Sequence, residues 1–351
     1  MELSFVNYLN LLKEYPSLII ISLLVFGVIF VNGWTDAPNA IATCVTTRAI
    51  KPKAAIYMAA VFNFLGLLVM TIFNRKVAET IFNIVDFGND ARLALVALCS
   101  AMVAIVLWAS LASVFGIPTS ESHALIAGLT GSAISIHGNL AGVNGQEWIK
   151  VLLGLVVSTV IGFLFGYLFV KLIEIICINM DRRKTNKFFG KAEIFSGAAM
   201  AFVHGAQDGQ KFIGVFLLGL FLAQGKTSSE ALPIPIWLMV LCSLIMGVGT
   251  SIGGMKIIKS VGMDMVKLET YKGFCADLVA SVCIMISSLT GIPVSTTHVK
   301  TSAIMGVGAS KSIKRVNWNV VKEMILTWVL TFPGCGLVGY IMTKIFLLIF
   351  I

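Results

Sequence analysis

The sequence contains little charge. Only 12% of its 351 residues are charged and 58% are hydrophobic, whereas a soluble domain carries about 25% charged residues. Several uncharged runs are long enough to cross about 30 Å of hydrocarbon as helices. They are residues 54–74, 93–120, 151–170, 231–255 and 324–343. The alternating pattern of a membrane barrel is missing. We therefore expect an all-α polytopic membrane protein with about ten to twelve membrane helices.

The sequence also lacks paired cysteines. Its seven cysteines are scattered singly, with no C-x-x-C, and most lie inside apolar runs. This pattern is typical of small packing residues and does not indicate a metal site or a disulfide framework. We expect no bound cofactor.

The positive charge is confined to short segments. The net charge is +9, and basic residues cluster around Arg48 to Lys53 and in "DRRKTNKFFGK" (181–191). Such clusters are the usual cytoplasmic bias of membrane proteins, so they do not predict nucleic-acid binding. The first 16 residues lack a basic n-region, and we expect residues 17–35 to be a retained segment, not a removed signal peptide.

Two halves of the chain carry the same markers in the same order. Asp36 and Asp208 lie 172 residues apart, and "GIPTSESHALIAG" (116–128) matches "GIPVSTTHVKTSA" (291–303) at an offset of 175. Trp148 and Trp318 repeat at an offset of 170. We predict a first transmembrane repeat over 1–177, a basic cytoplasmic linker over 178–191 and a second repeat over 192–351.

Duplicated halves are common in secondary transporters, where the substrate site lies at their interface near the midplane. The short apolar runs around Asp208 and the Gly-Ile-Pro interruptions indicate broken helices or re-entrant hairpins. We expect the second repeat to be inverted relative to the first, which requires an odd number of crossings in each.

The paired aspartates, Asp36 and Asp208, predict a cation site. An aspartate in the middle of a membrane costs about 2.5–3.5 kcal/mol, so it needs a sodium ion, a proton or a basic side chain as partner. Nearby Gly33, Gly205 and Pro38 favour an unwound backbone whose carbonyls could join the carboxylate in binding a cation. Alternatively, the aspartates lie at the membrane interface and pair with loop lysines.

The second copy departs from the first at one important position. Asn39, which adds an amide oxygen three residues after Asp36, is replaced by Lys211 three residues after Asp208. Residues three apart on a helix are neighbours, so this ammonium can neutralise Asp208 without any ion. We predict that Lys211 replaces one cation site. The alternative is that it points into a water-filled vestibule.

The two Gly-Ile-Pro motifs lead into runs of hydroxyl residues. Ser120 and Ser295 are placed as N-caps, with Ser122, Thr296 and Thr297 in the first helical turn. Two helix N-termini facing each other inside the membrane, lined with hydroxyls, form a site for a small oxyanion. Bonding of these hydroxyls to carbonyls of their own helices is the alternative.

Three further residues in these motifs are candidates for charge compensation or coupling. His123 and His298 close the two motifs, although a lone buried histidine is more often a structural hydrogen-bonder. Glu121 stands where the second copy has Thr296. A carboxylate beside an anion repels it unless protonated or paired, so Glu121 is a candidate for proton coupling or for pairing with Lys211.

These motifs resemble those of the inorganic phosphate transporter family, which repeats the phrases G-A-N-D-x-x-N-A and P-V-S-T-T-H. The matching segments are Gly33 to Ala40, Gly205 to Lys211, Pro118 to His123 and Pro293 to His298. The resemblance covers nearly the whole chain. It implies a homodimer in which Asp36, Asn39 and Asp208 belong to cation sites and the hydroxyl clusters to the phosphate site. Departures occur at four positions, Thr35, Gln207, Lys211 and Glu121.

We therefore expect a multi-pass protein of the cell membrane, in contact with lipid, that imports inorganic phosphate with sodium or a proton and is not an enzyme. A sulfate permease built in the same way is the main alternative. An anion channel would show flux without coupling. An intramembrane enzyme acting on phosphate or sulfate esters would need a nucleophile with an adjacent base, for which Ser120 and His123 are the candidates.

Overall fold

A computed structural model describes residues 4–115, 119–225, 234–252, 258–259, 261 and 265–351. These residues are helical apart from turns, short connections and two isolated antiparallel bridges, Val85 with Val143 and Val266 with Val316. The helices are α1 (Phe5–Glu14), α2 (Ser17–Thr35), α3 (Pro38–Thr46), α4 (Pro52–Phe73), α5 (Lys76–Phe82), α6 (Ala91–Phe115), α7 (Glu121–His137), α8 (Gly145–Ile176), α9 (Arg182–Ala223), α10 (Ile236–Ile252), α11 (Thr270–Thr290), α12 (Thr296–Ala309) and α13 (Trp318–Phe350).

Six stretches of the described chain are long and apolar enough to cross a membrane. They are α2 with α3 taken as one span, α4, α6, α8, α11 and α13. In contrast, α7 and α12 have 17 and 14 residues, which gives them lengths of only about 25 and 21 Å. All residues of α12 and most of α7 are buried. The two short helices therefore lie inside the bundle.

The helix that carries each aspartate differs between the halves. The first copy breaks between α2 and α3 at Asp36 and Ala37, because Pro38 has no backbone N–H to continue the hydrogen-bond ladder. The second copy was expected to break near Asp208, and this expectation is wrong. Helix α9 runs unbroken from Arg182 to Ala223, since Gln210 stands where the first half has Pro38. The same helix includes residues 182–191 of the predicted linker.

The second Gly-Ile-Pro motif is the connection between α11 and α12. Gly291 follows the last residue of α11 and has a φ of 79°, a conformation that glycine adopts without steric cost and that often ends helices. The chain then turns so that Ser295 caps α12. The first motif, at residues 116–118, lies outside the described residues.

Helices of the two halves pack against each other in matching pairs. Helix α7 packs on α13 of the other half, and α12 packs on α8 of the first half. In the same way, α4 packs on α9 while α10 packs on α2. The first turns of α7 and α12 meet inside the bundle, where the rings of His123 and His298 are in contact. The inverted orientation of the repeats stays a prediction.

Glycines allow these pairs of helices to approach closely. A Cβ on Gly33 would collide with the backbone of α10, and a Cβ on Gly205 with the backbone of α4. Likewise, a Cβ on Gly131 of α7 would collide with the backbone of α13, and a Cβ on Gly306 of α12 with the backbone of α8. Gly33 and Gly205 therefore serve helix contact, and not the unwound backbone that the sequence suggested.

We predict that Gly131→Ala and Gly306→Ala each destabilise the protein by about 1–3 kcal/mol, because the added methyl forces two packed backbones apart. Thermal unfolding in detergent measures the effect. Gly27→Ala is the matched control, since no heavy atom lies within 4 Å of its Cβ, and it should leave stability unchanged or raise it. Equal stability of all three variants would contradict the packing.

Candidate functional site

The two aspartates meet at the centre of the bundle. Asp36, at the end of α2, and Asp208, in the middle of α9, lie together with His204, one turn before Asp208. One ligand atom from each of the three lies within 4.8 Å of the others, and all three residues are buried. The structure thus joins the equivalent acids of the two halves in a single site, away from the loop lysines.

Neutral groups donate the hydrogen bonds to Asp36. The Thr297 hydroxyl, from the first turn of α12, donates to Asp36 Oδ1. Asn39 Nδ2 donates to the same oxygen at 2.7 Å and to Thr297 Oγ1 at 3.0 Å. Asn39 Oδ1 is buried without a hydrogen-bond partner among the described residues. Asp36 and Asn39 thus offer oxygen atoms to a cation, with no cationic side chain bonded to either.

Asp208 is contacted by the starts of both short helices. Ser122, in the first turn of α7, donates to Asp208 Oδ1 at 3.3 Å, and Thr296, at the start of α12, donates to Oδ2 at 3.1 Å. His204 Nε2 lies 3.4 Å from Oδ2 and Lys211 Nζ lies 2.6 Å from Oδ1. The hydroxyl groups predicted to bind an anion are therefore close together and turned inward.

Lys211 is fully buried and uses all three of its donors. Its Nζ bonds to Ser122 Oγ at 2.5 Å, to Asp208 Oδ1 at 2.6 Å and to the carbonyl oxygen of Val294 at 2.6 Å. The predicted contact with Asp208 is present, and the vestibule alternative is wrong because none of the Lys211 side chain is exposed. The predicted pairing with Glu121 is absent.

Thr35 and Gln207, the equivalent residues that precede the aspartates, contact the start of α7 and the connection before α12. Thr35 donates to Glu121 Oε1 at the start of α7, and Glu121 Oε2 has no hydrogen-bond partner in the described part of the chain. Gln207 Nε2 donates to the carbonyl oxygen of Ile292 at 3.0 Å, and its Oε1 accepts from Ser288. The two departures from the family pattern thus hold equivalent places.

Ser120 and Ser295 act as N-caps, as predicted. Their hydroxyl oxygens accept from the backbone N–H of His123 and His298, each at 3.2 Å. Further N–H groups in the first turn of a helix have no partner within the helix and can bind an anion. The capping serines leave those groups free to face the centre of the bundle.

The two histidines form a ring contact between α7 and α12. The rings of His123 and His298 lie 4.5 Å apart at 73°, and each also packs on an aromatic ring of α13, Phe332 or Trp328. Within the described ranges no ring nitrogen of either histidine has a hydrogen-bond partner. His123 therefore does not act as a base on Ser120, whose oxygen caps the helix.

Sequence reasoning missed His204 and Asn63. His204 Nδ1 lies 3.0 Å from Asn63 Oδ1 on α4, which orients the other ring nitrogen toward Asp208. A signal was present, because His204 precedes Asp208 by four residues and so lies on the same helical face. Asn63 had no such signal, since its place near the site depends on the packing of α4 against α9.

Comparison with known proteins identifies the family. The profile described as "Phosphate transporter family" matches residues 32–339. The chain belongs to this family. A relative from Bacillus subtilis (strain 168) named "Probable low-affinity inorganic phosphate transporter" is 38% identical over 342 residues, covering 97% of this chain and all of its own. A relative of the same name from Rhizobium meliloti (strain 1021) is 34% identical, covering 88% of this chain and 90% of its own.

A solved structure shares the fold. It is titled "The sodium-dependent phosphate transporter", aligns with a TM-score of 0.86 at 24% identity, and covers 95% of this chain and 100% of its own. These matches confirm a helical, multi-pass protein of the cell membrane that is a transporter and not an enzyme.

We predict that Lys211→Met destabilises the protein by about 3–5 kcal/mol, because it leaves the buried Asp208 carboxylate without its ammonium. Thermal unfolding in detergent provides the measurement. The double variant Asp208→Asn with Lys211→Met should recover much of the loss, since it removes both charges. Lys150→Met, at a surface pair with Glu147, should cost less than about 1 kcal/mol. A Lys211→Met protein as stable as the parent would disprove the ion pair.

Proposed function

We propose that this protein imports inorganic phosphate across the cell membrane together with a monovalent cation, sodium or a proton. The observation that carries the proposal is the meeting of the first turns of α7 and α12 on Asp208, beside Asp36. Hydroxyls, helix N-termini and carboxylates from both halves thereby share one buried site. Transporters built from repeats place their substrate and coupling ions at such an interface.

Phosphate binds between the two helix starts in this mechanism. The N–H groups of the first turns donate to its oxygens, and the hydroxyls of Ser122, Thr296 and Thr297 do so once their single hydrogens leave Asp208 and Asp36. The positive ends of two helix dipoles favour its charge. Lys211 Nζ, bonded to Ser122 Oγ and to Asp208 Oδ1, compensates the Asp208 carboxylate, so that this acid does not repel the phosphate. The capping serines, Ser120 and Ser295, hold the two helix starts in shape.

The cation binds at Asp36. Its carboxylate and the free Asn39 Oδ1 are the oxygen ligands that a hard cation prefers, and the Thr297 hydroxyl links this position to the phosphate site. At Asp208 the Lys211 ammonium takes the place of a second cation. Glu121, with one free carboxylate oxygen, is the further candidate for carrying a proton.

This division of charges determines what drives uptake. One net positive charge moved inward gains about 2.3 kcal/mol per 100 mV, which is roughly fifty-fold in accumulation. A single cation moving with one dihydrogen phosphate is electrically neutral and gains nothing from the membrane potential. Because Lys211 stays with the protein, the concentration gradient of the exchangeable cation supplies most of the driving force.

Proteoliposomes containing the purified protein should accumulate labelled phosphate when a sodium or proton gradient is imposed, with voltage varied separately. Uptake without a response to either cation gradient would indicate a channel. Full competition by equal sulfate would support the sulfate permease, and absence of phosphate uptake would disprove the proposal.

The phosphate site itself is tested in the same vesicles by Ser122→Ala. Loss of one hydrogen bond to a charged group costs about 1.5–3 kcal/mol, so the KM for phosphate should rise roughly ten- to hundred-fold. The matched control is Ser135→Ala, at a buried serine of α7 that belongs to no motif of the site. An unchanged KM in Ser122→Ala would remove this hydroxyl from the phosphate site.

We predict that Lys211→Asn makes phosphate uptake more dependent on sodium. The substitution installs the residue found at position 39 of the first half and gives Asp208 an amide oxygen in place of an ammonium. Uptake is measured as a function of sodium concentration. Lys211→Met, which removes the charge but adds no oxygen ligand, is the control and should gain no sodium dependence. Identical ion dependence in Lys211→Asn and the parent would contradict this role.

A further inference from the structure

A second buried group of charges lies outside the central site. Lys300 of α12 and Asp277 of α11 form an ion pair with both side chains fully buried. Thr43 of α3 donates to the two oxygens of Asp277 at 2.7 and 2.8 Å, and Lys300 Nζ lies 3.2 Å from the same hydroxyl. The ammonium compensates Asp277, so this carboxylate needs no further cation.

Glu193, near the start of α9, has no such compensation. It is fully buried, and Thr47 donates to its Oε2 at 2.8 Å. Its Oε1 has no hydrogen-bond partner among the residues that the structure describes. The carboxyl group lies against Gly273 of α11, where a Cβ would collide with Oε1. The absence of a side chain at residue 273 therefore leaves room for a carboxyl group that forms no ion pair with any residue in the described ranges.

Helix α3 connects this carboxyl group with the central site. Asn39, Thr43 and Thr47 are four residues apart and lie on one face of the chain, over a length of about 12 Å. Asn39 contacts Asp36, Thr43 contacts Asp277 and Thr47 contacts Glu193. These contacts form a row of polar groups that starts at the candidate cation site.

The row ends at the side of the bundle where the basic segment 178–191 lies, which we call the linker side. Thr47 is partly exposed and the next residue, Arg48, is exposed. Glu193 follows the basic segment directly in sequence. The carboxyl group is thus buried behind the partly exposed Thr47 on the linker side.

The first half of the chain has no counterpart of this group. At the offset of 175, Leu125 and Met102 take the places of Lys300 and Asp277, and at the offset of 172 Ile21 takes the place of Glu193. All three are buried apolar residues. A fold with matching halves does not need charges here, so their presence in one half requires a reason other than packing.

We propose that Glu193 is a proton-binding site, which takes up a proton during the transport cycle and releases it to the linker-side solution. The step is the binding of one proton to Oε1, which converts a carboxylate into a neutral carboxylic acid and breaks no other bond. A metal cation is a poor occupant, because hard cations take several oxygen ligands and here one oxygen is free. The role in transport rests on the proposed function.

The surroundings of Glu193 favour the neutral, protonated form of its carboxyl group. Its ionisable neighbours are Asp277 of α11, Lys300 of α12 and Cys44 of α3. Asp277 and Lys300 cancel each other, and Cys44 places its sulfur 3.2 Å from the carbonyl oxygen of Glu193 and 3.6 Å from Asp277 Oδ2. Glu193 is the group whose charge stays uncompensated, and a proton removes that charge.

The test compares the parent protein with Glu193→Gln in proteoliposomes. A pH gradient of one unit should raise phosphate accumulation about tenfold for each coupled proton in the parent, and Glu193→Gln should lose this response. Phosphate exchange at equal pH on both sides needs no net proton movement, so the variant should keep it. Both proteins are compared at the same pH, which keeps the ionisation of phosphate equal. The control Glu147→Gln, at the surface pair with Lys150, should behave as the parent.

Two further measurements secure the result. Thr47→Val removes the donor that stabilises the ionised carboxylate, so the pH midpoint of uptake should move upward. If Glu193→Gln does not fold, Thr47→Val provides the test. Infrared spectroscopy should show a protonated carboxyl band that titrates in the parent and is missing in Glu193→Gln. A parent without phosphate uptake would overturn the proposed transport but not this band. An unchanged pH response in both variants, or an unchanged band, would overturn the assignment of Glu193.

Discussion

The contact between the Lys211 ammonium and the Asp208 carboxylate is the interaction on which the centre of this protein depends. A charge in the middle of a membrane is tolerated when it is paired and hydrogen-bonded, and Asp208 is held by groups from α7, α9 and α12. Two of those helices are too short to cross the bilayer alone. The ion pair therefore does more than neutralise an acid, because it fixes where both helix starts lie.

The absence of the same pair at Asp36 is equally informative. There the partners are an amide and a hydroxyl, which orient the carboxylate but leave its charge in place. The two equivalent acids thus differ in charge compensation: Asp208 is paired with an ammonium group, and Asp36 is bonded to neutral donors. In the proposed mechanism, a cation that must enter and leave binds where the protein supplies no ammonium of its own, which favours Asp36 over Asp208.

The sequence predicted the helical class, the paired aspartates, the capping serines and the contact of Lys211 with Asp208, because each depends on spacing along one segment or on repetition. It did not predict that α9 is unbroken, although the second half has Gln210 where the first half has the helix-breaking Pro38. It also missed His204, although His204 lies on the same face of α9 as Asp208. Asn63 and Glu193 could not be found, since their surroundings are made by helices distant in sequence, and only packing brings those together.

The polar row along α3 gives the two ends of the bundle different properties. On the linker side, Thr43, Thr47 and Glu193 continue the polar surroundings of Asp36 toward solution, whereas Ile21, which takes the place of Glu193 in the first half, is apolar and buried. Matching halves make it possible for a site to open to either side in turn, but they give no direction to the ion. In the proposed mechanism a polar row on one side does, because a proton or cation leaving Asp36 finds polar partners along α3. In this mechanism the departure from symmetry is the feature that directs release of the ion toward the linker side.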